Sequence, residues 1–231
     1  MPLEQVLTIV IIALVVVFAW TIFMKLFKLL FYIGIIIFLL LAANLFFIYQ
    51  DFNDLKENFG VSEKKVILVE GNEVLTGLML NGDTKLMTNE QLDDYSSYLR
   101  DNDYESILGD SYKLMVFDVD IISNLDNEIE LEGKIIAQDD AVAMLKSKNT
   151  NAGEKAELFS TILADEILSS KSPLFFFSEF KDDNIVIYPE TALFKTIKII
   201  PLSFIKDVAG KIFDKTKETA KSFVAEESEN I

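Results

Sequence analysis

The distribution of apolar and charged positions divides the chain near residue 50. Residues 6–24 form a run of nineteen residues without a charge, and residues 29–49 form a second run of twenty-one. Each run approaches the ~20 residues that a helix needs to cross the ~30 Å hydrocarbon core of a bilayer. The pattern therefore predicts two membrane spans at the N-terminus.

Residues 25–28, which include Lys25 and Lys28, separate the two apolar runs. A straight helix through both runs would be roughly 65 Å long, about twice the thickness of the hydrocarbon core. We therefore predict a transmembrane helical hairpin over residues 1–50, with its turn at residues 25–28. Two alternatives stay open: a first span followed by a helix lying in the membrane interface, or one long helix that protrudes from the membrane.

The two lysines between the apolar runs set the expected orientation. The positive-inside rule counts Lys and Arg in short loops near the ends of spans. The N-terminal tail has no such charge, and the flank beyond residue 50 mixes Lys56, Lys64 and Lys65 with acidic residues. We therefore predict a two-span protein of the cell membrane, with the turn in the cytoplasm and the soluble domain extracytoplasmic.

Beyond residue 50 the pattern is that of a water-soluble α+β domain over residues 51–200 with a small, mostly antiparallel sheet and packed helices. Asn81 and Gly82 are a strong signal for a tight β-hairpin. The runs with the alternation or β-branched content of strands are 65–69, 73–80, 84–87, 112–122, 129–136 and 185–188.

Helix signals lie between these strands. Thr88 and Gln91 form a capping box that starts a helix, and a short second helix is predicted to stop at Gly109. Either Asp139 or Asp140 is expected to cap another short helix. The remaining helix signals are a continuation of the second span over 51–59, an amphipathic helix at 154–170 and the first-turn proline at 173.

Two further segments of the domain are less specific. Residues 174–177 are the densest aromatic run outside the first fifty residues, and we interpret this run as core. Residues 191–200 are ambiguous between helix and strand.

A third region is predicted at residues 201–231, as an amphipathic C-terminal helix followed by an acidic tail. Apolar residues between positions 202 and 224 fall on one arc of a helix, and five lysines flank or oppose that arc. Such a helix can pack on its own domain or lie on a lipid surface. We expect it to pack on the domain.

Net charge argues against nucleic acid as a partner. The chain has 21 basic and 37 acidic residues, and only Glu4, Lys25 and Lys28 are charged within the first fifty. The rest of the chain therefore carries a formal charge of −17, which repels phosphate backbones. Arg100 is the single arginine, so bidentate recognition of phosphates has almost no donor.

Histidine and cysteine are both absent from the sequence. This absence excludes Ser-His-Asp and Cys-His nucleophilic sites, thiol redox sites and zinc sites built from those ligands. A serine–lysine dyad has no supporting context, since Ser170 and Lys171 are merely adjacent at a predicted helix end. Carboxylates are the remaining groups for catalysis or metal binding.

Two groups of carboxylates are candidates for that chemistry. Asp118 and Asp120 share one face of the predicted strand 112–122, an arrangement in which paired acids can bind a divalent cation, but the same alternation is typical of a solvated face. Asp101, Asp103 and Glu105 begin like a calcium-binding loop. The required glycine and glutamate are missing at its sixth and twelfth positions, so we predict no metal site, no cofactor and no catalytic residue.

The sequence thus predicts an integral membrane protein with a non-enzymatic, membrane-anchored interaction or scaffolding domain. Its expected partners are the lipid bilayer and another protein. One alternative is a membrane-bound hydrolase that depends on carboxylates or on a metal. The other is a small accessory subunit of a transport or secretion complex.

Overall fold

The computed structural model of the chain describes residues 2–81, 83–125, 129–131, 134–167 and 173–203. Within these residues the chain has an α+β fold with eight α-helices, one π-helical segment and seven strands. The internal contacts divide the chain into two compact units, Met1–Phe47 and Ile48–Ile231.

A single helix, α1, runs from Leu3 to Asn58 and contains both apolar runs. The predicted helical hairpin is not shown, because residues 25–28 lie within this helix. The segment lacks glycine and proline, the residues that most readily end a helix, and Lys, Leu and Phe are all compatible with helical backbone. Trp20, the only tryptophan of the chain, lies on α1 with its side chain exposed.

The domain that follows α1 alternates strands and helices. Its elements are β1 (Lys64–Glu70), β2 (Glu73–Asn81), β3 (Asp83–Leu86), α2 (Asn89–Arg100), α3 (Tyr104–Leu108), β4 (Lys113–Asp118), α4 (Asp120–Ser123), β5 (Ile129–Leu131), β6 (Lys134–Ile136), α5 (Gln138–Lys146), α6 (Ala152–Thr161), the π-helical segment (Ile162–Ile167), α7 (Pro173–Lys181), β7 (Ile185–Tyr188) and α8 (Ala192–Ile199).

Five of these strands form a mixed sheet in the order β3-β2-β1-β4-β7. The β1/β4 pair is parallel and the other three pairs are antiparallel. In the parallel pair Lys64 lies opposite Lys113, and Val69 lies opposite Asp118. The amino ends of β1 and β4 therefore lie at one edge of the sheet, and their carboxyl ends lie at the opposite edge.

Both faces of the sheet are covered. One face, which includes Leu68 and Phe117, packs against α5, α6, α7 and α8, and the partly buried Leu55 and Phe59 join this core. The other face, which includes Ile67, packs against α2 and α3. The alternation of neighbouring β1 residues between two cores explains why this strand is apolar at each of its four central positions, from Val66 to Val69.

Several local predictions are confirmed. The capping box at Thr88 and Gln91 is present at the start of α2, and α3 ends before Gly109, whose φ of 52° favours glycine. Phe176 and Phe177 are buried, so this part of the aromatic run belongs to the core. The ambiguous segment 191–200 forms the helix α8.

The prediction for the strand 112–122 was wrong at its C-terminal end. β4 stops at Asp118 and α4 starts at Asp120, because Asp118 Oδ1 accepts a hydrogen bond from the Asp120 backbone N–H at 2.9 Å. A side chain that bonds to the backbone two residues ahead turns the chain and ends a strand. The predicted strand 129–136 is instead the antiparallel pair β5/β6.

Two helix predictions also need correction. Asp139 and Asp140 lie in the first turn of α5, whose N-cap residue is Ala137. The helix predicted over 154–170 begins at Ala152 and becomes π-helical from Ile162 to Ile167. The predicted C-terminal helix and acidic tail lie outside the described residues from position 204 onward.

Candidate functional site

The two groups of carboxylates that the sequence offered as candidates lie in different parts of the domain, around α3 and at the end of β4. Within the described residues there is no group of three or more Asp, Glu, His or Cys side chains that could hold a metal ion. Asp103 is the N-cap of α3, where its carboxylate accepts hydrogen bonds from the Ser106 hydroxyl and backbone N–H. These two bonds, the hydroxyl first, lower the pKa of Asp103. The carboxylate of Asp103 thus caps its own helix through both the side chain and the backbone of Ser106.

Asp118 and Asp120 belong to a polar group at the carboxyl ends of β1 and β4. Here Lys146 Nζ of α5 forms an ion pair with Glu70 Oε1 at 2.8 Å, and both side chains are substantially exposed. The hydrogen bond to Glu70, followed by the charges of Glu70, Asp120 and Asp118, raises the pKa of Lys146. We call Glu70, Asp118, Asp120 and Lys146 the carboxyl-end cluster.

A second polar group lies at the opposite edge of the sheet, where the last turns of α1 meet the domain. Asp51 Oδ2 accepts a hydrogen bond from the Leu193 backbone N–H at 3.0 Å, and Asp54 Oδ2 accepts one from the Tyr112 hydroxyl at 2.6 Å. Burial, followed by the hydrogen bond and charge of Asp54, raises the pKa of Tyr112 above its ordinary value of 10.0. We call Asp51, Asp54, Tyr112, Lys113 and the Leu193 N–H the junction.

Lys113 is the buried cation of the junction, with a relative exposure of 3%. Its Nζ donates a hydrogen bond to the Pro189 carbonyl at 3.0 Å and lies 5.3 Å and 5.8 Å from the ring centroids of Tyr112 and Phe194. Burial lowers the pKa of Lys113, and the two aspartates of α1 partly oppose that effect. The ammonium group is thus held by one carbonyl and two aromatic faces.

Lys64 fixes the end of α1 in a similar way. It is also buried, and its Nζ donates hydrogen bonds to the Phe59 and Ser62 carbonyls and lies 5.1 Å from the Phe59 ring centroid. Burial lowers the pKa of Lys64. The two lysines that face each other in the β1/β4 register therefore both bind backbone carbonyls at this edge of the sheet.

Glu179 is the one buried acidic residue among the described residues. Its Oε2 accepts hydrogen bonds from the side-chain amides of Asn124 at 3.1 Å and Asn184 at 2.7 Å. These bonds join α7 to the end of α4 and to the loop before β7. With both contacts made by neutral amides, Glu179 acts as a structural acceptor in this arrangement.

Within the first unit, α1 carries an open apolar groove of about 440 Å³ around Gly34, which has no side chain to fill it. The groove is lined by Phe27, Leu30, Phe31, Gly34, Ile35 and Phe38. These residues follow helical spacing along one side of α1. They supply no polar group for recognition of a specific ligand.

Sequence reasoning missed the junction. Lys113 shares the phase of Met115 and Phe117 in the predicted strand, and a lysine at an inward position is a signal for a buried cation that needs a partner. The contact between Asp51 and Leu193 had no such signal, because the two residues are 142 positions apart.

Comparisons with known proteins add no assignment. No protein-family model, no curated protein and no solved structure matches this chain.

Proposed function

We propose that this chain is a membrane-anchored protein whose acidic domain binds or scaffolds a protein partner. The observation that supports anchoring is the surface of α1. The helix α1, over Val10–Asn58, is the one helix among the described residues that is long and apolar enough to cross a membrane, and its most apolar stretch is not buried at all. Phe18 and Phe38 are each 69% exposed. An apolar surface of this extent needs lipid or protein to cover it.

A binding role, rather than catalysis, is supported by the chemistry that the chain offers. The sequence has no histidine or cysteine, and the carboxylates of Asp103 and Glu179 are engaged with hydrogen-bond donors of the fold. A domain with strong negative charge favours a partner with a positively charged surface. We therefore expect the partner interface to be basic and its association to weaken as salt is added.

We further infer that α1 bends at residues 25–28 when it enters a bilayer. Residues 6–49 would extend roughly 65 Å as a straight helix, whereas the hydrocarbon core is ~30 Å thick. A turn at Lys25 and Lys28 places both apolar runs in lipid and both charges in the cytoplasmic headgroup region. The N-terminus and the domain then lie on the same, outer side of the membrane.

Membrane fractionation tests the anchor. The full chain is expected to remain in membranes through alkaline carbonate and to dissolve only in detergent, whereas a shortened chain that begins at Ile48 is expected to be soluble and to unfold cooperatively. This boundary retains Asp51 and Asp54. If alkaline carbonate releases the full chain from membranes, the proposed anchor is wrong. If the shortened chain aggregates and does not unfold cooperatively, the domain does not fold independently.

Partner binding is tested by affinity purification from gently solubilised native membranes. A stoichiometric protein that dissociates at high salt is expected. The shortened chain beginning at Ile48 provides the matched bait, because it keeps the domain and lacks the apolar helix. A partner retained by this bait assigns binding to the domain. Recovery of the full chain alone, without any stoichiometric protein, would contradict the scaffolding role.

Topology is tested with single cysteines, since the native chain has none. Gln5→Cys and Ser123→Cys place a thiol near the N-terminus and at an exposed position of the domain. An impermeant thiol reagent is expected to label both variants on intact cells. If only one of the two is labelled before lysis, α1 crosses the membrane once and the bend is refuted.

A further inference from the structure

The helix α8 depends on other segments for the hydrogen bonds at both of its ends. Its N-cap residue, Thr191, makes no side-chain capping bond, and the Leu193 N–H in the first turn is bound instead by Asp51 of α1. At the other end, Lys181 Nζ of α7 donates hydrogen bonds to the carbonyls of Ile197 and Ile200. Charged side chains from elsewhere thus replace the local caps, with the signs that the helix dipole favours.

Beyond these end contacts, Lys198 of α8 forms ion pairs with Asp183 and Glu190, and Ile197 is partly buried against the core. The helix α8 has only eight residues, and isolated helices of that length are not stable in water. Phe194 is its one buried residue and packs with the Phe180 ring at 5.7 Å between centroids. Ile199, in contrast, is 83% exposed. Elements with few buried contacts open locally at a lower free energy than the core.

The first turn of α8 also touches the rest of the junction. Leu193 is bound by Asp51, and the ring of the next residue, Phe194, lies 5.8 Å from Lys113 Nζ of β4. Asp51 and Asp54 are three residues apart and thus lie on one side of α1. A rotation or shift of these turns would therefore move both aspartates away from their partners together.

We propose that the last turns of α1, residues 48–58, and α8 form a conformational relay, in which the position of these turns controls the stability of α8 because Asp51 supplies the missing N-terminal cap. When these turns are in their observed position, α8 is capped and packed on the sheet. When they rotate or shift, α8 loses its cap and opens while the sheet stays folded. This relay goes beyond partner binding and does not require it.

Hydrogen exchange followed by mass spectrometry tests the relay in the full chain in detergent micelles. Asp51→Ala is expected to speed exchange of the α8 amides by about threefold or more, the usual consequence of losing an N-cap. Asp51→Asn retains an acceptor oxygen and should restore most of the protection. Glu57→Ala, an exposed position on the same helix, is the matched control and should leave α8 unchanged.

A second pair of variants keeps the Asp51 carboxylate and changes only its position, so that the effect of position on α8 exchange is measured by itself. One alanine inserted after Phe52 rotates Asp51 by about 100° and shifts it by about 1.5 Å relative to Leu55. The same insertion after Phe47 lies before Asp51 and leaves the Asp51–Leu55 spacing intact. The first insertion is expected to speed α8 exchange as Asp51→Ala does, and the second is not.

The amides of β1 and β4 serve as an internal reference in every variant. Faster exchange confined to α8 supports the relay. Unchanged α8 exchange in Asp51→Ala or in the insertion after Phe52 would overturn it. Equal acceleration in α8, β1 and β4 would also overturn it, because the domain would then be opening as a whole.

Discussion

Lys113 and Lys146 lie at opposite ends of the β1/β4 pair, and both have carboxylates nearby. The pKa of Lys113 is lowered, chiefly by burial, although Asp51 and Asp54 oppose that effect. The pKa of Lys146 is raised, chiefly by its hydrogen bond to Glu70. The pKa values of the two lysines therefore shift in opposite directions although both have acidic neighbours. At Lys113 the loss of water around the ammonium group lowers the pKa by more than the charges of Asp51 and Asp54, which do not contact it directly, raise it.

The opposite pKa shifts reflect different surroundings: Lys113 is buried within the fold, whereas Lys146 lies at the surface. At the junction, the partners of Lys113 are Pro189, which follows β7, and residues of α8 and α1, so that several elements must be in place at once. In the carboxyl-end cluster, Lys146 and Glu70 keep a large part of their side chains in water. The junction should therefore respond to substitution far more strongly than the carboxyl-end cluster.

Charge reversal gives the largest expected contrast. Lys113→Glu places a third carboxylate beside Asp51 and Asp54 in a buried site, and should lower the free energy of unfolding by about 3–5 kcal/mol. Lys146→Glu disrupts only an exposed pair, for which about 1 kcal/mol or less is expected. Urea unfolding of the chain beginning at Ile48 measures both. Equal losses of unfolding free energy in the two variants would contradict the claim that the junction contributes more to stability than the carboxyl-end cluster.

Removal of one hydroxyl tests the tie between α1 and β4. Tyr112→Phe removes the donor to Asp54 and should lower the free energy of unfolding by about 1 kcal/mol. Tyr98→Phe is the matched control, since Tyr98 is exposed on α2. The same urea titration compares the two variants. A loss in Tyr98→Phe as large as that in Tyr112→Phe would mean that the Asp54 contact adds no stability.

The pH dependence of the two lysines should have opposite signs. For Lys113 the folded-state pKa lies below 10.5, so the cost of burying its charge falls as pH rises through that lowered pKa. For Lys146 the folded-state pKa lies above 10.5, so its contribution is present below 10.5 and is lost as pH rises through the raised value.

The measurement compares the native chain with Lys113→Met and Lys146→Met in urea between about pH 8 and about pH 11. Relative to Lys113→Met the native chain should gain stability with rising pH, and relative to Lys146→Met it should lose stability, by about 1 kcal/mol or less in each case. If stability changes with pH in the same direction relative to both variants, burial does not determine the sign of the Lys113 pKa shift.

The smallest effect is expected from divalent cations at the carboxyl-end cluster. If Asp118 and Asp120 serve only the local turn, millimolar calcium, magnesium or manganese should leave the melting temperature almost unchanged. A cation present at 100 times its dissociation constant would add ~2.7 kcal/mol, a rise of about 5–10 °C for a domain of this size. Such a rise, if absent from Asp118→Asn, would establish a metal site and revive the hydrolase alternative.

The parts of the fold that were predictable from sequence are those set by neighbouring residues. The capping box at Thr88, the stop at Gly109 and the strand β7 before Pro189 each depend on a few adjacent positions. The end of β4 was also locally encoded, by the bond from the Asp120 amide to Asp118, but strand alternation masked it. Burial of both sheet faces depended on helices far away in sequence.

The junction was not predictable, for the same reason. Asp51 resembles any acidic residue after an apolar run, and its partner is identified only once α8 has packed beside α1. The hairpin prediction used the thickness of a bilayer, a constraint that lies outside the chain, whereas the continuous α1 reflects local helix propensity. At residues 25–28 the local sequence thus favours a continuous helix, whereas the thickness of a bilayer favours a turn.

Trp20 makes the two units of this chain optically separable. It lies on α1, within the unit Met1–Phe47, and the other unit contains tyrosine and phenylalanine but no tryptophan. Excitation at the red edge of indole absorption therefore reports only the surroundings of the apolar helix. Emission from the domain under shorter-wavelength excitation arises from its tyrosines, so lipid insertion and domain unfolding can be followed in one unlabelled sample.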